Sequence, residues 1–144
     1  MDAPERLTSK PTFLVTQAAT AAHRLASEAF ERVGARGYEY RALAVLEELG
    51  PSTQADLGRA ARMDRSDVAT TLDVLERDGL VRRAPDPADR RRKVARISAS
   101  GRRRLRRIET ELDRAQDRFT AALSETERTR LVRLLTKVIA DFGD

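Results

Sequence analysis

The stretch QADLGRAARMDRSDVATTLDVLERDGLVRRAPDPADRRRKVARI, residues 54–97, decides the fold. Thr53, just before it, and Asp56 fit a capping box, in which each side chain satisfies a backbone donor at a helix start. Leu57 and Ala60 give that short helix an inward face, and Ala61 to Met63 make a turn. Asp64 then caps a second helix, from about Arg65 to Asp78, with Val68, Leu72 and Leu75 on one face. Gly79 stops it, because glycine accepts the left-handed cap conformation. Leu80-Val81-Arg82-Arg83 and Lys93-Val94-Ala95-Arg96-Ile97 read as short strands. The nine residues between them, Ala84 to Arg92, hold two prolines and two aspartates and form a loop. Two helices joined by a tight turn and followed by a hairpin make a winged helix-turn-helix.

Upstream, residues 1–10 read as a loose tail, and a helix enters at Pro11, whose missing N–H suits a first turn. Leu14, Ala18, Ala22, Leu25, Ala29 and Val33 form its apolar stripe, and Gly34 and Gly37 end it. A helix from about Glu39 to Leu49 follows, with Tyr40, Leu43, Val45, Leu46 and Leu49 apolar, and Gly50-Pro51 stops it. Downstream of Ser98, Leu105, Ile108, Leu112, Ala115, Phe119 and Ala122 alternate spacings of three and four. Such a 3.5-residue repeat marks a helix that packs along another. Ser124 to Glu127 is a second capping box, opening a helix striped by Leu131, Leu134, Leu135, Val138 and Phe142. The expected class is mainly α with a small β-hairpin wing. Residues 1–144 form a single domain, with the winged lobe over 39–97 and a helical dimerisation region over 11–36 and 99–144.

Composition narrows the function. The 144 residues are 40% hydrophobic and 35% charged, with no Cys and one His. Disulfides and thiol metal sites are thereby removed, and no metal or other cofactor is expected. No apolar run approaches the roughly 20 residues of a membrane span, and Met1 to Lys10 lacks a signal-peptide pattern, so a cytoplasmic protein without a membrane partner is expected. The net charge of +5 is unevenly spread. From Arg82 to Arg107 there are twelve Arg and Lys against Asp86 and Asp89, a local charge of +10 that leaves −5 for the remainder. Concentration of this kind is the footprint of a polyanion partner, with a solvated charged face as the alternative; the helix-turn-helix reading makes double-stranded DNA the expected partner.

A helix-turn-helix offers the start of its second helix to the major groove. The expected base-reading residues are Arg65, Ser66, Asp67, Ala69 and Thr70. Arg65 suits the O6 and N7 of guanine. Asp67 either accepts from a cytosine amino group, holds a neighbouring arginine, or simply favours the helix dipole. The wing offers Arg90, Arg91 and Arg92 to a minor groove, with Asp89 orienting an arginine. Thr53, Gln54, Arg82, Arg102 and Arg103 are expected phosphate contacts. Arg102, Arg103, Arg104, Arg106 and Arg107 occupy the first turns of a helix, where the dipole disfavours exposed cations by about 0.3–1 kcal/mol each. Pairs such as Arg107 with Glu111 offset only about 0.2–0.5 kcal/mol. Phosphate contact or pairing with another part of the fold would explain the cluster.

Taken together, these motifs resemble the multiple antibiotic resistance regulator (MarR) family of bacterial transcription factors. The likeness runs from about Ala18 to Phe142 and rests on Asp64-Arg65-Ser66-Asp67-Val68, on Leu75 to Arg83, and on Asp86 to Val94 with Ile97-Ser98. It includes the family's Asp-x-Arg element at Asp89 and Arg91. Thr70 stands where arginine is common, Ala88 replaces a frequent basic residue, Arg92 adds one, and Ser98 replaces a usual threonine. The resemblance implies a ligand-responsive repressor, a symmetric dimer on a near-palindromic operator with half-sites about 10 bp apart. Leu14, Leu105, Ile108, Leu112, Phe119, Leu134 and Val138 are its expected interface. It also implies release by a small anionic or aromatic effector, for which His23, Tyr38, Tyr40 and Arg41 are candidates. No catalytic residues are expected: the sequence lacks a nucleophile elbow, a phosphate-binding glycine loop and a dinucleotide glycine pattern. A non-specific architectural DNA binder and a protein-binding winged helix are the competing readings.

Overall fold

Most helices begin at a capping side chain or a proline, whereas the one that opens at Gly37 follows Arg36 with no side-chain cap. The computed structural model describes residues 2–143. Its elements are α1 (Glu5–Thr8), α2 (Pro11–Arg32), α3 (Gly37–Leu49), α4 (Gln54–Ala61), α5 (Arg65–Arg77), β1 (Val81–Pro85), β2 (Lys93–Ile97), α6 (Ala99–Phe119) and α7 (Glu125–Phe142). The Thr53 hydroxyl accepts from Asp56 N at 3.2 Å, the Asp64 carboxylate from Asp67 N at 3.1 Å, and the Ser124 hydroxyl from Glu127 N at 3.2 Å. At Ser124 the box closes, since Glu127 accepts the Ser124 N–H at 3.0 Å.

Several boundaries depart from the sequence reading. Residues 5–8 form a helical turn instead of loose tail. Gly34, at φ +64°, follows the end of α2, whereas Gly37 opens α3. Only half of the box expected at α4 forms: Asp56 turns its carboxylate to the Thr53 hydroxyl and to Arg59. Ala61, not Ala60, is the buried alanine of α4. Arg62, at φ 52°, makes the helix-to-helix turn as a left-handed non-glycine residue. β1 runs on to Pro85, so the wing loop shortens to 86–92. α6 ends at Phe119, which leaves Ala122 outside its seam.

The described chain falls into two compact units, of which one is Ala26–Leu112. Its core is Leu43 and Leu46 of α3, Leu57 of α4, Val68, Leu72 and Leu75 of α5, Val81 of β1 and Ile108 of α6, all fully buried. Each such side chain contributes about 1.5–3 kcal/mol by leaving water. The strands pair antiparallel, Val81 opposite Ile97 and Arg83 opposite Ala95. Ser52 extends the hairpin on its other edge, exchanging backbone bonds of 3.1 and 2.8 Å with Ala95.

The end of α5, the hairpin and the start of α6 meet at one point. Ser98 N donates to Leu80 O at 3.0 Å, and the Ser98 hydroxyl donates to Gly79 O at 2.7 Å. The same hydroxyl accepts from Gly101 N at 3.0 Å, capping α6. A Cβ on Gly101 would lie 2.2 Å from Leu80 O and 2.7 Å from Ile97 Cγ1.

The second unit comprises the remaining described residues. There Arg128 donates to Asp117 at 2.9 Å, fastening the start of α7 to the end of α6. Its apolar residues stay largely uncovered: on α7, Val138 is 56% and Phe142 84% exposed, and Leu14 and Val15 of α2 are exposed too.

Replacing glycine by alanine inside a helix ordinarily stabilises by about 0.5–1 kcal/mol. At Gly101 the sign should reverse. Gly101→Ala is expected to destabilise the chain by about 1–3 kcal/mol, measured by urea unfolding.

Candidate nucleic-acid interface

The N-terminal half of α5 is set by its cap. Asp64 Oδ1 accepts from Asp67 N at 3.1 Å and from the Ser66 hydroxyl at 3.0 Å. The Asp67 N–H, then the Ser66 hydroxyl, hold the Asp64 carboxyl below its usual range. Val68, Leu72 and Leu75 bury one face, so the opposite one must look outward. Arg65, Ser66 and Thr70 are exposed, and Asp67 and Ala69 half-buried. Gln54 and Arg65 share the rim of a shallow hollow with Ala55, Gly58, Arg59 and Met63. Thr53 is engaged at the cap, donating to Asp56 Oδ2 at 2.8 Å.

The wing loop is ordered by its two aspartates. Asp86 accepts from Ala88 N at 3.0 Å, and Asp89 from Arg91 N at 3.1 Å. Asp89 also accepts from Arg91 Nε at 3.1 Å, so Arg91 holds this carboxyl below its usual range. The three arginines therefore differ. Arg90 is exposed. Arg91 is exposed but oriented by Asp89. Arg92 turns back to Asp56 on α4, at 3.5 Å. Thr53 first, and then Arg59 and Arg92, lower the Asp56 pKa.

Arg82 stands directly opposite Arg96, and both are exposed. Its neighbour Arg83, not singled out in the sequence reading, is mostly covered. Arg83 Nη2 reaches Asp73 at 2.6 Å and Glu76 at 3.1 Å, joining β1 to the last turns of α5. These bonds hold Glu76 below its usual pKa and raise that of Arg83. The signal was visible as an acid and a base flanking the turn at Gly79, but nothing in the spacing showed that they pair.

The arginines of α6 divide in the same manner. Arg104 donates to Glu39 at 2.7 Å, Val33 O at 2.6 Å and Gly34 O at 3.0 Å, with side chains of Arg104 and Glu39 only 18% and 16% exposed. It thus takes up carbonyls left over at the end of α2. Arg102, an expected phosphate contact, donates to Glu47 at 3.0 Å and remains half exposed. Arg103 donates to the Ser100 hydroxyl at 2.9 Å. Arg103, Arg106 and Arg107 line one shallow surface with Thr110. Glu111 lies 3.7 Å from Arg32.

Of the residues expected at a dimer interface, Leu105, Ile108 and Leu112 are already buried within the single chain. A 3.5-residue repeat reports that a helix is packed along its length, and is silent on which chain covers it. Phe119 is half-buried, and Leu14, Leu134 and Val138 are exposed. Among the effector candidates, the Arg41 guanidinium stands 5.6 Å from the Tyr38 ring centroid and donates to Arg62 O at 3.4 Å. Tyr40 packs on Phe30, with ring centroids 6.1 Å apart. His23 is exposed on α2.

Residues 35–92 match the MarR family model. A protein named for transcriptional regulation of the hcr operon in Thauera aromatica is 34% identical over 99 residues, covering 69% of this chain and 60% of that protein. The transcriptional repressor NicR of Pseudomonas putida is 29% identical over 101 residues, covering 70% of this chain and 64% of the repressor. The chain thus spans about three fifths of these relatives' own lengths. Among solved structures, the PcaV transcriptional regulator of Streptomyces coelicolor in complex with its natural ligand superposes with a TM-score of 0.77. It is 26% identical, with 97% of this chain and 98% of that one covered.

Asp64, Glu76 and Asp89 have folded-state pKa values below their unfolded ones. Their contribution is present above the unfolded pKa and is lost as pH falls through the folded value. The melting temperature should hold between about pH 7 and 5 and drop below about pH 4. Asp64→Asn combined with Glu76→Gln should shallow that acid limb in a pH series of thermal melts.

Proposed function

We propose that the chain is a MarR-family winged helix-turn-helix transcription factor, a sequence-specific double-stranded DNA-binding regulator. The observation that carries this reading is the division of α5. Its inner face is fully buried, while Arg65, Ser66 and Thr70 are held outward by the Asp64 cap. An α-helix so presented fits a major groove. The exposed Arg90 and Arg91 fit the adjacent minor groove, where a narrow width strengthens the negative potential.

The reading includes a homodimer. Leu14, Val15, Leu134, Leu135, Val138, Ile139 and Phe142 are exposed large apolar residues in the unit that includes α7. A patch of this kind on a soluble chain calls for a cover. A second copy supplies it through a self-complementary surface, and a two-fold dimer in turn calls for a near-palindromic operator. Residues 11–36 and 99–144 serve as the dimerisation region in this reading, and 39–97 as the DNA-binding lobe. The regulator acts as a repressor, released by a small anionic or aromatic molecule. Tyr38 and Arg41 offer a ring and a guanidinium in contact, and the NicR and PcaV names supply a repressor and a ligand-bound relative. Release requires that the ligand prefer an arrangement with displaced recognition helices.

Footprinting on the promoter region beside the gene tests the DNA-reading function, with a random duplex as competitor across a salt series. Equal competition by the random duplex at every salt concentration would replace it with an architectural role.

Arg90→Ala with Arg91→Ala should abolish operator binding at moderate salt and reduce the salt slope by about 0.9 for each lost phosphate contact. Sedimentation should still show a dimer. Conversely, Leu134→Asp with Val138→Asp should yield monomers in sedimentation and lower operator affinity by at least about a hundredfold.

A further inference from the structure

A two-stranded hairpin is marginal in water by itself. The placement of this wing must therefore come from what flanks it. On the β2 side, Ser52 takes both backbone groups of Ala95. Arg83 lies directly opposite Ala95, so its own N–H points to the other edge of the hairpin. Glu76 Oε2 accepts that N–H there at 2.9 Å. The guanidinium of the same residue returns to Glu76 Oε1 at 3.1 Å and to Asp73 Oδ1 at 2.6 Å. A single carboxylate thus grips both the strand's backbone and its side chain, and a second lies one turn earlier on α5. The Arg83 side chain is only 17% exposed, against 42% for Glu76 and 68% for Asp73. Both carboxylates are served by one terminal nitrogen, whose N–H directions are fixed by the planar guanidinium, whereas a lysine ammonium acts as a point charge.

We propose that Arg83 is the positioning residue that fixes the wing against α5, so that the two groove readers meet DNA at one set offset. The role rests on the DNA-reading function given above. Major and minor grooves alternate along the duplex, and readers carried on separate elements reach both only if their separation is held. Covalently, the link is the turn at Gly79 alone, where the chain is at φ +73°. Ser98 fastens that turn by its bonds to Gly79 O and Leu80 O, and Arg83 adds the tie beyond it, fixing the angle at which the strand runs past α5.

The chain has no cysteine, so labels can be placed at will. Spin labels at Val74→Cys on α5 and Ala88→Cys in the wing loop, diluted with unlabelled chain, report the offset in the free protein. Arg83→Gln and Arg83→Lys are expected to broaden the distance distribution, the lysine variant less because it keeps the charge. On operator DNA, both variants without labels should keep hydroxyl-radical protection beneath α5, lose it beneath the wing, and bind about tenfold more weakly. Distributions as narrow as that of the chain with Arg83 intact overturn the proposal, as does unchanged wing protection. The lysine variant decides the matter if the glutamine variant fails to fold. If the unsubstituted chain binds no DNA, the DNA-reading function falls, and the label distances in the free protein still decide whether Arg83 holds the wing.

Discussion

The close approach of Gly101 to the carbonyl of Leu80 constrains the whole winged lobe. Leu80 follows the stop of α5, and Gly101 sits in the first turn of α6, yet no Cβ fits between them. The Ser98 hydroxyl fills the remaining gap, donating to Gly79 O and capping α6 through Gly101 N. Three elements consequently share one anchor: the end of α5, the base of the hairpin and the first turn of α6. Any shift of α6 at this point must move Leu80, and with it either α5 or β1. Hydrogen bonds and steric exclusion act together here.

Much of this architecture was legible in local sequence. Caps at Thr53, Asp64 and Ser124 were readable because a cap depends on residues three apart. The inner face of α5 was readable because burial on one side imposes a helical period. What escaped were pairings between residues far apart in the chain. Arg104 and Glu39 are 65 positions apart, and nothing local announces that they meet. The Arg83 fork spans a turn whose geometry had first to exist. Gly101 carries no local signal of its contact with Leu80 beyond being a glycine in a helix, a residue that often marks a close approach. The seam of α6 was found, yet its period could not say that Leu105, Ile108 and Leu112 are covered within the chain itself.

The arginine-rich segment likewise resolves into two populations. Arg83, Arg102 and Arg104 meet carboxylates within the lobe. Those pairs answer part of the electrostatic cost of crowding cations at the start of α6, because Glu47 and Glu39 come from α3 and not from α6 itself. Arg82 and Arg96 instead face each other across the hairpin, where like charges destabilise. Arg90, Arg91, Arg103, Arg106 and Arg107 remain exposed. Such a surface is costly to the free chain and becomes favourable when a polyanion neutralises it.

The acids of α5 fit the same scheme. A helix that enters a major groove gains nothing from carboxylates left facing phosphate, yet α5 carries Asp67, Asp73 and Glu76. Two of the three are engaged by Arg83, at the C-terminal part of the helix, and Asp64 is consumed by its own cap. The negative charge is thus held where it orders the lobe, and the outward N-terminal half keeps Arg65, Ser66 and Thr70. The proposed affinity for a polyanion then rests on the exposed arginines of the wing and α6. In the proposed role, discrimination among sequences falls to a few side chains on a helix whose direction is set by Asp64 at one end and by Gly79, Leu80 and Arg83 at the other. Because those end contacts also hold the hairpin, the direction of α5 and the placement of the wing depend on the same small set of bonds, and the proposed base reading inherits that dependence.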